Sequence, residues 1–246
     1  MIWKIDKSGQ IGQYLDRIGL GAVLAETGSA LLKINLARPP EVGHPRTDPE
    51  LLSEIVRYVL ANGSRCAIAE GADGYLRENL ARIGLGWLLK EPGVEVIDLD
   101  LEDYDPVAIG AEEHYLPKCL KEYGVRIGIP VASKRAGMVF SNNVKLFVGA
   151  VPRKMYQLGE PVTWRPKIHI DLHKSVANIY QAFMAYAPFS FFINGGNAFD
   201  EKSGQFQFKE ILIGNDGVEL DAYILEKVFL IEKPEYIKRL QTRMPL

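Results

Sequence analysis

Cysteine is nearly absent. Cys66 and Cys119 are the only two in 246 residues. Two thiols exclude a disulfide scaffold, and they exclude an iron–sulfur cluster held by this chain's own cysteines. Cys66 falls inside an apolar run, where a buried, inert thiol is the expected role. Long hydrophobic runs are missing too. None reaches the roughly 18 residues of a membrane span, so no membrane partner is expected. The start, Met1-Ile-Trp-Lys-Ile-Asp6, lacks the basic stretch and apolar core of a secretory signal, and the expected address is cytoplasmic. Net charge is small as well. Basic and acidic side chains number 29 and 31, so nothing draws the chain as a whole to nucleic acid. A nucleophile-elbow serine, a Walker loop and a kinase motif set do not occur. What remains is an ordinary globular composition, 47% hydrophobic and 24% charged, in a chain long enough to bury a sizeable core.

The chain reads as alternating strands and helices. Ala30 to Leu36 is apolar around Lys33 and predicts a strand. Ala37 to Thr47 is rich in Pro and Gly and predicts an irregular linker. Thr47 or Asp48 then caps a helix, with Pro49 in its first turn and Glu50 at the positive end of its dipole. Leu51, Leu52, Ile55, Val56, Val59 and Leu60 share one face of it, and Asn62-Gly63 ends it. Arg65 to Ala69 predicts a second strand, Tyr75 to Ile83 a second helix and Val94 to Leu99 a third strand. That spacing fits a parallel, right-handed α/β unit. Asp100 to Pro117 is acidic and reads as a surface excursion. Strands are predicted at Val125–Pro130, Gly137–Phe140, Phe189–Ile193 and Lys209–Ile213. Helices are predicted at Ile170–Tyr186, at Val218–Leu230 and after Pro234. The whole predicts one α/β domain over residues 1–246, a three-layer α/β/α fold with a mostly parallel sheet, in which Val125 to Phe140 has room for an antiparallel edge strand.

Residues Phe140 to Tyr156 are the most informative stretch. An apolar run ends in Ser141, Asn142 and Asn143. Lys145, Arg153 and Lys154 follow, with Gly149 and Pro152 between them. A strand running into amides, cations and chain-bending residues makes a ligand-facing loop. Four further constellations carry possible chemistry. Glu70-Gly-Ala-Asp-Gly-Tyr75 sits where a strand turns into a helix. It reads as a phosphate cradle with Asp98 reaching a ribose hydroxyl, or as a plain turn with Asp73 as a helix cap. His169 and His173 stand four apart. They share a face and bind a divalent metal if the helix already includes His169, and they separate if Asp171 is its cap. Asp216 and Asp221 follow a buried strand. Asp216 suits an N-cap, whereas Asp221 lies a turn too far in for that role. Asn194-Gly-Gly-Asn197 allows close backbone approach or a simple turn.

Taken together, these segments resemble the family called domain of unknown function 362. The residues that carry the resemblance are Lys33-Ile-Asn35, Thr47-Asp-Pro49, Glu70-Gly71 and Lys145-Leu-Phe-Val-Gly149. Arg153, Lys154, His169, Asn215-Asp216 and Asp221 continue it. Ile34 stands where the family has Pro, Leu146 where it has Asn, and Asn194 where it often has Asp. Many relatives carry a ferredoxin-like four-cysteine module, which this chain lacks. The resemblance implies a fold and the position of a site; it implies no reaction.

Two functions follow as expectations. In the first, the protein binds or transforms a small anionic molecule. Lys145 and Asp221 are the candidate catalytic groups, with Lys33, Asn35, Asn143, Lys154 and Asp216 as ligand contacts. Lys33, Asn143, Lys145 and Asp221 then surround one cleft at the C-terminal strand edge, with a carboxylate such as Asp221 in ion-pair reach of Lys33. In the second, the protein is a non-catalytic partner. It docks on a ferredoxin-like protein or on its own copy through aromatic residues between Tyr180 and Phe192.

Overall fold

The computed structural model describes residues 1–6, 11–39, 43–134, 140–160, 162 and 164–243. Strands β1 (Ile2–Asp6), β2 (Ser29–Ile34), β3 (Arg65–Glu70), β4 (Val94–Asp98), β7 (Val125–Ile129), β9 (Phe191–Asn194) and β12 (Glu210–Gly214) form one sheet. Its order is β1-β12-β9-β7-β2-β3-β4. The run from β9 to β4 is parallel, and β12 and β1 add antiparallel at one side. The fold is therefore mixed α/β around a mostly parallel seven-stranded sheet. A hairpin, β5 (Tyr104–Ile109) with β6 (Glu112–Pro117), stands outside it. So does a small sheet of β8 (Ser133–Lys134), β10 (Asn197–Asp200) and β11 (Gly204–Gln207).

Apolar side chains leave both faces of the large sheet. Ala30, Leu32 and Ile34 of β2 enter one cluster, and Leu31 enters the other. The first cluster also takes α1 (Ile11–Arg17), α2 (Leu20–Thr27), α3 (Pro49–Ala61) and α4 (Leu76–Leu80). The second takes α5 (Leu172–Tyr186), α6 (Gly217–Ile224) and α7 (Glu235–Arg243). Strands buried on both faces cannot alternate polar and apolar, which is why β2, β3 and β9 read as continuous apolar runs.

The helix starts follow local rules. The Asp48 carboxylate accepts from the N–H groups of Glu50 and Leu51, with Pro49 next to it. Asp171 caps α5 and Asp216 caps α6 in the same way, each such cap contributing about 1 kcal/mol. Gly84, at φ 83°, ends the predicted Tyr75–Ile83 helix differently. Only Leu76–Leu80 is regular α, and Ala81–Leu85 forms a wider turn.

Several expectations need correction. The Asp100–Pro117 excursion contains the β5–β6 hairpin, whose Val107, Ile109 and Tyr115 pack on the core. The Val125 strand is not an antiparallel edge. It lies in the middle of the sheet, parallel to β2 and β9; β12 is the strand that runs against the others, and β1 pairs antiparallel with it at the edge. The first 28 residues supply β1, α1 and α2, none of which was expected. Of the predicted Gly137–Phe140 strand only Phe140 is among the described residues; it is buried, and its carbonyl oxygen accepts from the Tyr236 hydroxyl at 2.6 Å. Tyr180, Phe183, Phe189, Phe191 and Phe192 are core residues, not a docking surface. Phe147 is their hub, with ring centroids 4.7–6.2 Å from four of them. Both cysteines are buried. Burial pushes each thiol up to about 12, which keeps them protonated and unreactive.

Among the described residues no helix is long and apolar enough to cross a membrane.

Candidate functional site

The parallel strands β2, β3 and β7 end at one edge, and the chain leaves them at Asn35, Gly71 and Pro130. A cleft of about 410 Å³ opens there. Loops converge on such an edge because every parallel strand delivers its connection to the same rim. Arg38, His44, Arg46, Lys145 and His169 line this cleft, and so does Trp164. Among the described residues, Glu70 contributes the one acidic side chain of the lining.

Glu70 is the best-held group of the site. Its Oε1 accepts from Lys33 Nζ at 2.8 Å and from the Gly71 N–H at 2.9 Å, and its Oε2 accepts from the Leu36 N–H at 2.9 Å. Lys33 Nζ also donates to the Ile34 carbonyl at 2.8 Å. Neither side chain reaches solvent. Burial pushes the Glu70 carboxyl up and the Lys33 ammonium down, and each partner's charge opposes the other's shift. The pair lies under Gly149. A Cβ built there would stand 2.7 Å from Glu70 Oε1 and 3.4 Å from Lys33 Nζ, so the missing side chain is what keeps the pair next to the cleft. The partner of Lys33 is thus Glu70, not Asp221.

Asp221 lies behind the cleft wall, fully buried. Its Oδ1 accepts from Asn142 Nδ2, the Asn143 N–H and Asn143 Nδ2, and its Oδ2 from the Val144 N–H, all at 2.9–3.1 Å. Asn143 Oδ1 accepts in turn from Asn194 Nδ2 at 2.9 Å. Burial pushes the Asp221 carboxyl up to about 7 against these four donors. Asp221 and Lys145 are therefore neighbours, since Lys145 follows the anchored Val144. Only Lys145 lines the cleft. Asp221 and Asn143 hold the loop that presents it.

The other sequence candidates divide between the cleft and the scaffold. Asn35 lines the cleft, and its Oδ1 accepts from the Val131 N–H at 2.9 Å, tying the ends of β2 and β7 together. Lys154 stands outside the cleft lining, with its Nζ over the Tyr104 ring at 4.9 Å. Asp216 caps α6 at the far end of β12. That strand runs antiparallel, so its C-terminus points away from the cleft edge. His169 ends the short turn Pro166–His169 and lines the cleft. His173 sits inside α5 and stacks on Tyr236. Asp171 caps the helix between them, and the two imidazoles share no helical face. No group of three or more His, Cys, Asp or Glu side chains that could hold a metal occurs among the described residues.

The Glu70–Tyr75 turn is closed to phosphate. Asp98 accepts from the N–H groups of Ala72 and Gly74, and Asp100 from that of Asp73. Carboxylates from this chain already fill the nest. Asp73 is no helix cap; its carboxylate pairs with Arg153 at 3.0 Å.

The model of the family described as Domain of unknown function (DUF362) matches residues 30–226. The chain belongs to this family. Every cleft residue named above lies inside the matched span, whereas β1, α1, α2 and α7 lie outside it. No curated protein matches the chain. Membership in DUF362 carries no reaction with it.

Sequence reading named Glu70 only as the start of the strand-to-helix turn, and it missed Trp164, Arg38, Arg46 and His44 altogether. Glu70 had a signal: an acid closing an apolar strand needs a partner, and Lys33 in the adjacent strand is the one in reach. The linker residues had none.

Proposed function

We propose that this DUF362 protein binds a small anionic molecule in the cleft at the ends of β2, β3 and β7. One observation carries the reading. Arg38, Arg46 and Lys145 line a single cavity in which, among the described residues, Glu70 is the one carboxylate, and it pairs with Lys33. Cations gathered at such a rim hold a phosphate or carboxylate better than they hold a neutral molecule. The cavity volume falls in the range of small-molecule sites. The two apolar clusters fit this reading as the flanking layers of an α/β/α sandwich.

If the bound molecule reacts, Glu70 is the carboxyl of the described cleft lining, and Lys33 holds that carboxyl from behind. Lys145 then orients the ligand and Asp221 holds Lys145's loop.

A thermal-shift screen against phosphate- and carboxylate-bearing metabolites tests the reading. At least one is expected to raise Tm, and Lys145→Ala or Arg46→Ala to remove the rise. A screen without any shift ends it. Metal analysis of the purified protein asks at the same time whether a divalent ion accompanies the ligand. A second reading, docking on a ferredoxin-like protein or on a second copy, draws on the exposed Leu158, Val162 and Ile170. A monomer in the ultracentrifuge that co-purifies with nothing rules it out.

A further inference from the structure

We infer that the anion taken by this cleft carries a flat aromatic ring, and that the ring lies against Trp164. The inference rests on the anion reading above and names the rest of the molecule. Trp164 lines the same cavity as Arg38, Arg46 and Lys145, yet 43% of it is exposed. Among the described residues, Tyr75 and Trp164 are the only aromatic side chains that the fold leaves so open. An indole left in water forgoes the burial that large aromatic side chains usually gain.

Its position is nevertheless held. The Trp164 carbonyl oxygen accepts from Gln157 Nε2 at 2.9 Å, which fastens the loop from one side. The next residue, Arg165, fastens it from the other, donating to Asp100 Oδ1 at 2.9 Å and to the Val151 carbonyl at 2.8 Å. The indole meets the His169 ring edge to face, with centroids 4.8 Å apart and an interplanar angle of 81°. An indole and an imidazole at nearly a right angle form a flat-walled corner. A planar ring matches that corner along its whole face, while a puckered aliphatic ring touches it at few points. A surface held in place before the ligand arrives loses little freedom on binding. Charge and ring surface thus meet in one cavity of about 410 Å³.

Matched pairs of anions separate ring chemistry from size and charge. Phenyl phosphate is compared with cyclohexyl phosphate, and benzoate with cyclohexanecarboxylate, by titration calorimetry on the full chain. In at least one pair the aromatic member is expected to bind about tenfold tighter, in line with what stacking on an exposed aromatic side chain contributes. Trp164→Ala is expected to remove that preference, Trp164→Phe to keep most of it, and Tyr75→Ala to leave it unchanged. Circular dichroism confirms that each variant folds. Equal binding within both pairs overturns the ring and leaves the anion reading standing, as does a preference that survives Trp164→Ala. If no anion of either kind binds, both readings fall together.

Discussion

Lys33 Nζ stands 2.8 Å from Glu70 Oε1, and both side chains are sealed from solvent. The pair joins neighbouring strands β2 and β3 just below the cleft. Taking two charges out of water is expensive, and their attraction only offsets that expense while both are present.

Removing one partner therefore costs far more than removing both. Lys33→Met and Glu70→Gln are each expected to lose about 3–5 kcal/mol, while Lys33→Met with Glu70→Leu recovers most of the loss. Urea unfolding at neutral pH measures all three. Losses that simply add in the double variant would remove this account of the pair.

Asp221 sets a pH dependence whose sign follows from its shift. Its carboxyl moves from an ordinary 3.8 up to about 7 in the folded chain. Between those values the folded protein holds a proton that the unfolded chain has released. The contribution is complete below about pH 4 and is lost as pH rises through about 7. Asp221→Asn cannot ionise, so its stability is expected to lack this decline, which amounts to a few kcal/mol at most. The variant is also less stable in acid, because its amide NH₂ must face one of the four donors. Unfolding curves at several pH values between 4 and 8 compare the two slopes, and parallel slopes would count against the shift.

Gly71 and Gly149 meet backbone to backbone. The Gly71 N–H donates to the Gly149 carbonyl at 3.2 Å. A Cβ on Gly71 would sit 2.4 Å from that oxygen, closer than any side chain tolerates. Gly71→Ala is expected to lose about 1–3 kcal/mol through the forced shift. Gly149→Ala should lose a similar amount and also weaken any ligand-induced rise in Tm, since its Cβ enters the space above Glu70. A Gly149→Ala protein with unchanged stability and ligand response would show that this space is not used.

Asp100 ties two arginines to the edge of β4. Its Oδ1 accepts from the Arg153 N–H and Arg165 Nη2, and its Oδ2 from Arg153 Nη2. Asp100→Ala leaves the nearly buried Arg165 guanidinium without its carboxylate. The expected loss is about 3 kcal/mol, with faster proteolysis in the chain around Trp164. Limited proteolysis at matched folded fraction reads the second effect. Cleavage at the rate of the unchanged protein would show that Gln157 alone secures the loop.

Much of the fold follows from neighbours in sequence. Asp48-Pro49 starts α3, Asp171 starts α5 and Asp216 starts α6, because a cap needs only N–H groups two or three residues away. The doubly buried strands β2, β3 and β9 declare themselves by continuous apolar runs. Asn35 belongs to the cleft lining as its position after β2 suggests, and Lys145, at the start of the short turn Lys145–Gly149, belongs to it too. Tertiary structure decided what those local signals leave open. An apolar run does not state its direction, so β12 could be read as parallel, and Asp216 could be placed among the loops of the cleft edge. Lys33 does not name its counter-ion. Glu70 takes that role because β2 and β3 pair in a register that brings residues 37 apart in sequence to 2.8 Å. Asp221 looks like a reactive carboxylate in the sequence. In the fold it is a buried anchor, because the Asn142–Val144 loop turns four N–H donors onto it before any ligand can reach it.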